Sequence, residues 1–113
     1  MTSACFHFIP EGLIYTTEYD GYPHGACEYL RNMLIEYGTV NAETFFQSNQ
    51  KYVVEMGRQR AWYDYRYDIR GPEKMIVWDC TDMFPQWEGT VQSFTKEFFL
   101  KPMIHSVISE KSF

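Results

Sequence analysis

His24 and Cys27 stand one helical turn apart just after Pro23, and of all residues in the chain this pair is the best suited to nucleophilic chemistry. A thiol near a helix N-terminus feels a field that favours the thiolate, and an imidazole one turn away can take its proton. The competing reading is a small buried core cysteine. No oxyanion donor or third orienting group can be named beside the pair, so no catalytic residue is expected and the chain reads as a non-enzyme. The alternative of a Cys/His thiol enzyme needs an accessible Cys27 of lowered pKa. His7, His24 and His105 lie far apart, without His-x-x-x-His or a carboxylate at ligand spacing, so neither a metal nor another cofactor is expected.

Recognition is the stronger possibility. In Asp20-Gly21-Tyr22-Pro23 the Asp presents acceptors beside an amphipathic ring, as a recognition loop would. Architecture explains the same residues: Asp20 can bond the backbone two residues on, Gly21 can take a conformation closed to other residues, and Tyr22 can staple a helix start. Tyr63, Tyr65 and Tyr67 with Arg66 imitate the stacking platform of a single-strand nucleic-acid binder. Asp64 and Asp68 flank that arginine, however, and two negatives for one positive oppose a phosphate backbone. A core face is the competing reading for the tyrosines. Glu11, Glu18, Asp20, Asp64, Asp68, Asp79 and Asp82 fall in the β-rich parts and could form an acidic edge that imitates phosphates, or simply a solvated face. Trp62, Trp78 and Trp87 lie in or beside the C-terminal strands. If Trp62 and Trp78 point away from the tyrosines, large aromatics stand on the side opposite the helices, where self-association or a protein target would bury them. The expected partner-binding set is therefore Asp20, Tyr22, Trp62, Asp64, Arg66, Asp68 and Trp78.

The elements that must position these groups follow from hydrophobic period and punctuation. Phe6 to Ile9 and Leu13 to Thr17 are β-prone runs around Pro10-Glu11-Gly12, which predicts a hairpin. Ala26, Tyr29, Leu30, Met33, Leu34 and Tyr37 recur on a 3.6-residue period, so a helix should start near His24, with Pro23 tolerated in its first turn and Gly38 as C-cap. Asn41 is a good N-cap for a second helix carrying Phe45, Phe46, Asn49, Tyr52, Val53 and Met56 inward and ending at Gly57; the pair Val53-Val54 makes a short strand the competing reading there. From Ala61 to Ile69 the period is two, which predicts a strand with the tyrosines on one face and Trp62, Asp64, Arg66 and Asp68 on the other. Arg70-Gly71-Pro72-Glu73 is a turn, Met75 to Cys80 a strand, and Met83 to Trp87 an edge strand, because Pro85 cannot donate to a ladder. Gly89-Thr90 opens a last helix with Val91, Phe94, Thr95 and Phe98 inward, ended by Pro102.

The order ββ-αα-βββ-α with short connections predicts an α+β domain, mainly antiparallel, of about five strands with helices on one face. Residues 1–102 form the domain and 103–113 a tail. At 113 residues with 45% hydrophobic and 19% aromatic side chains, the chain can close one core. Ten Lys+Arg against 15 Asp+Glu leave a net charge of −5, which disfavours nucleic acid as a partner and favours basic and aromatic surfaces. No apolar run approaches the ~20 residues of a membrane span. Residues Met1 to His7 show no basic segment leading into an apolar stretch, and three scattered cysteines show no disulfide pattern, so the expected location is cytoplasmic.

The run Tyr15-x-x-x-Tyr19-Asp20-Gly21-Tyr22-Pro23, followed by Gly25 and an amphipathic helix, resembles small uncharacterised phage and prophage proteins with an aromatic-Asp-Gly-Tyr-Pro motif after a strand. Tyr65-x-Tyr67, Ile76-Val77 and Glu88-Gly89-Thr90-Val91 followed by Phe94 extend the resemblance. It implies a phage-linked context, in which small acidic proteins often block host defence machinery. The expected partner is then a host protein or complex met in the host cytoplasm, with a homodimer as a further possibility.

Overall fold

The structure is a computed structural model that describes residues 2–56 and 63–99, in which six strands and three helices occur in the order β-β-α-α-β-β-β-β-α. Strands β1 (Ala4–Phe8) and β2 (Leu13–Thr17) form the expected hairpin. Gly12 has φ of 69° and donates its N–H to the Phe8 carbonyl at 2.9 Å, so the reversal uses the left-handed conformation glycine adopts without strain. Helix α1 (Pro23–Tyr37) begins on Pro23 and stops at Gly38, whose φ of 68° lets its N–H reach the Leu34 carbonyl. Helix α2 (Ala42–Asn49) carries a reciprocal cap, with Asn41 Oδ1 accepting from Thr44 N at 2.8 Å. Glu11 Oε2 accepts from Ala42 N, tying the first hairpin to this helix start.

Helix α2 is shorter than its hydrophobic stripe predicts. Asn49 is buried and spends its amide on the Tyr29 and Phe45 carbonyls, which closes the helix end against α1. Beyond it Val54–Met56 form strand β3, pairing antiparallel with β2, and Tyr52, placed inward by the stripe, is exposed. The β-branched pair prefers the extended chain, and an open sheet edge supplies the pairing that a helix end cannot. Gly57 and the tail from 103 onward lie outside the described residues.

Strands β4 (Tyr65–Gly71), β5 (Lys74–Asp79) and β6 (Phe84–Gly89) form an antiparallel meander, and helix α3 (Val91–Phe98) closes the described chain with a Thr90–Ser93 capping box. The sheet order is β3-β2-β1-β4-β5-β6, and among the described residues β1 with β4 is its one parallel pair. The architecture is thus α+β on a mixed sheet of six strands; β3 accounts for the sixth. Two helices lie between β2 and β4, and a connection of that length lets β4 return beside β1 in the same direction.

Cross-strand register sorts the side chains. Tyr15, Phe6, Tyr67, Val77 and Trp87 run across the sheet in one row, and the helices pack on that face. Phe6 stacks on Tyr67 at 5.0 Å between ring centroids and meets Phe45 of α2 at 4.8 Å, while Phe94 of α3 meets Tyr67 at 6.0 Å. Among the described residues no helix is long and apolar enough to cross a membrane.

Candidate functional site

The row on the other face of the sheet is polar at its centre. Cys5 of β1 pairs with Arg66 of β4, which pairs with Trp78 of β5; one step along, His7 pairs with Asp68 and Asp68 with Ile76. Asp68 has a side chain only 7% exposed, and its Oδ2 accepts from Arg66 Nη2 at 2.9 Å and from Trp78 Nε1 at 3.0 Å. The Arg66 guanidinium lies over the Trp78 ring, 5.0 Å from its centroid. A planar guanidinium stacks on an indole and bonds a carboxylate at the same time, so three side chains from two strands hold one another in place. His7 Nδ1 stands 3.9 Å from Asp68 Oδ1, and that oxygen and Arg66 Nε are buried without a hydrogen-bond partner among the described residues. The helices sit on the opposite row, so Arg66 and Trp78 are half-buried with no helix above them among the described residues.

Three of the expected partner-binding residues, Arg66, Asp68 and Trp78, therefore meet in one cluster, but Asp68 serves inside it as a buried acceptor and presents no free carboxylate. Asp64 is engaged elsewhere: its Oδ2 accepts from Ser3 N at 2.9 Å and from Ser3 Oγ, a strap that joins the start of β1 to β4. Trp62 lies outside the described residues. Of the seven carboxylates read as a possible acidic edge, Glu11 caps α2, Asp68 is buried and Asp79 Oδ1 accepts from Thr81 N. His7 had no sequence signal beyond strand alternation, since only the non-local parallel pairing of β1 with β4 sets it beside Asp68.

Asp20 and Tyr22 stand at the start of α1, on the side of the sheet that bears the helices. Asp20, not Gly21, takes the left-handed conformation, with φ of 53°. Gly21 is needed for close approach: a Cβ there would stand 2.6 Å from the Ser3 carbonyl carbon, its N–H donates to the Thr2 carbonyl, and its carbonyl accepts from the buried Tyr67 hydroxyl at 2.7 Å. Tyr22 is 38% exposed and stacks on His24 at 4.6 Å.

Cys27 is wholly buried and donates its Sγ–H to the Thr95 carbonyl at 3.3 Å. Burial, then the nearby Glu28 charge, pushes its pKa up to about 12, the reverse of what a nucleophilic thiol requires. Cys5 is likewise pushed up to about 12, by burial and then by Asp68. Because a raised pKa keeps the thiol protonated across neutral pH, Cys27 in the native chain should alkylate far more slowly at pH 7–8 than a free peptide thiol of pKa ~8.5. Mass mapping after mild alkylation checks this, and labelling as fast as the peptide would restore the thiol-enzyme reading. Tyr67 is fully buried beneath the helices, so the tyrosine strand is core at that position and offers no continuous stacking platform. Among the described residues no three His, Cys, Asp or Glu side chains gather as metal ligands would.

Comparison with protein-family models, curated proteins and solved structures returns no match.

Proposed function

We propose that the chain is a non-enzymatic protein-binding factor that presents the Arg66–Trp78 face of its sheet to a partner protein. The observation that carries this reading is the arginine laid over a half-buried tryptophan and held by the buried Asp68 carboxylate. Arginine and tryptophan are the residue types that dominate binding energy at protein interfaces, and a guanidinium fixed before encounter loses little further entropy on binding. The net charge of −5 favours a basic partner and repels phosphate backbones. The resemblance of Tyr15 to Pro23 to phage and prophage proteins supports a narrower form, in which a phage or mobile element encodes the chain and it inhibits a host defence protein in the host cytoplasm.

The test is affinity capture from lysate of a defended host with quantitative mass spectrometry, comparing wild type with Arg66→Lys, Trp78→Phe and the remote surface variant Glu36→Gln. Both cluster variants should lower recovery of one partner at least tenfold, about 1.4 kcal/mol or more, while Glu36→Gln leaves it unchanged. Sedimentation of the purified chain shows whether that partner is a second copy. Equal recovery by all four proteins, with no self-association, would remove the reading.

A further inference from the structure

We infer that a cleft beside α1, between the connection from β2 and the residues that follow α2, receives a quaternary ammonium group. Its volume is about 650 Å³; Tyr19, Tyr29 and Tyr52 supply aromatic walls, Asp20 and Glu28 supply carboxylates, and Lys51 stands at the same cleft. That size lies within the ~300–1,000 Å³ of clefts that enclose small ligands.

Tyr29 organises the walls. Its hydroxyl donates to the Tyr19 carbonyl at 2.7 Å, and burial raises its pKa, so it stays a donor. The Tyr19 N–H donates in turn to Thr17 Oγ1 at 3.1 Å. On the other side the Tyr29 carbonyl accepts from Asn49 Nδ2, and the Asn49 carbonyl accepts from the Tyr52 N–H at 2.9 Å. The rings of Tyr29 and Tyr52 then meet at 6.1 Å between centroids and 37° between planes, a corner and not a flat slot. Tyr19 and Tyr52 are exposed, so a ligand can reach their rings. Aromatic faces carry negative quadrupole charge and attract a cation that sheds water easily. A quaternary ammonium spreads its charge over rounded methyl groups and requires no hydrogen-bond acceptor, which suits a corner of tilted rings. An unmethylated ammonium is compact and strongly hydrated, and a planar guanidinium stacks better on a flat face. Two carboxylates stand against one ammonium in this cleft, and among the described residues no ion pair engages Asp20, Glu28 or Lys51. The chain's charge of −5 draws cations towards it, whereas an anion would be repelled by the carboxylates and the ring faces alike. None of these residues belongs to the Arg66–Trp78 cluster, so this test and that of the proposed function succeed or fail independently.

The experiment follows the Gly25, Asn32 and Tyr52 amides of the full-length labelled chain while choline chloride is added at constant ionic strength. Parallel titrations use 3,3-dimethylbutan-1-ol, which keeps the shape of choline and lacks its charge, and ethanolamine, which keeps the charge and lacks the methyl groups. Saturable shifts with a midpoint of about 1–10 mM are expected for choline, with the Trp78 indole unmoved. The two analogues should bind at least about threefold more weakly, and Tyr52→Leu, checked for an otherwise unchanged amide spectrum, should weaken choline by a similar factor. Asp20→Asn keeps a residue type that tolerates the φ of 53° and should also weaken choline, while Lys51→Gln should tighten it. A final arm with N-acetyl-trimethyllysine methylamide separates the sources: weaker binding than choline assigns a free small molecule, and equal or tighter binding assigns a methylated side chain of a protein. The inference is overturned by the absence of a saturable shift at tens of millimolar with both trimethylammonium probes, by an equal response to either choline analogue, or by an affinity that Tyr52→Leu and the two charge variants leave intact.

Discussion

Gly25→Ala is expected to destabilise the fold by about 3 kcal/mol or more, which for a chain of this size lowers Tm by roughly 10–20 °C. A Cβ on Gly25 would overlap the Asp20 carbonyl oxygen and come 2.6 Å from the Asp20 Cβ. The obstructing atoms cannot easily yield. Their segment is bound through Gly21 N to the Thr2 carbonyl, through the Tyr67 hydroxyl to the Gly21 carbonyl, and through the Tyr29 hydroxyl to the Tyr19 carbonyl at 2.7 Å. Gly12→Ala is the proper comparison, because its φ of 69° strains an alanine while nothing lies within 4 Å, so it should cost only about 1–2 kcal/mol. Urea unfolding of both variants measures the difference. If Gly25→Ala costs no more than Gly12→Ala, the Asp-Gly-Tyr-Pro segment is not held by close packing against α1.

Arg66→Ala carries the second large effect, a loss of about 3 kcal/mol. It leaves the Asp68 carboxylate, 7% exposed, with Trp78 Nε1 alone on Oδ2 and with Oδ1 still lacking a hydrogen bond among the described residues. Removing the half-buried Arg66 strands the buried Asp68 charge, and that desolvated charge, more than any lost attraction, sets the size of the effect. Asp68→Ala made in the Arg66→Ala background should therefore restore about 1 kcal/mol or more, even though it removes a further native hydrogen bond. Equilibrium unfolding of the two single variants and the double variant closes the cycle. Simple additivity would show that Asp68 is hydrated well enough to stand alone, and the preorganised anchor on which the proposed function rests would lose its support.

Local order was legible in the chain itself. The caps at Gly38, Asn41 and Thr90, the hairpin at Gly12 and the alternation along β4 are short-range matters of dihedral preference, hydrogen-bond competition and period, and such forces act within a few residues. Alternation likewise separated Arg66 and Asp68 from the tyrosines, but it left the face of Trp78 open until the register of β4 with β5 set Trp78 beside Arg66. The end of α2 was harder, since the stripe through Phe45 and Val53 continues at helical spacing, and only an available edge of β2 favours the strand at Val54.

Amino-acid order by itself determined that this chain folds as an α+β domain and that the strand through Tyr65 and Tyr67 sets its tyrosines on one face and Arg66 and Asp68 on the other, because the two faces of a single strand follow from its alternation. Tertiary structure alone decided what those faces do. The parallel return of β4 beside β1 brings His7 and Cys5 to Arg66 and Asp68, the approach of Thr2 and Ser3 turns Gly21 from a flexible residue into a packing necessity, and the docking of α3 buries Cys27 and sets Glu97 against Trp87. The physical reason is range: propensity and period are properties of neighbours in sequence, whereas burial and partnership join residues as far apart as Cys27 and Thr95, and these are settled only when the layers close.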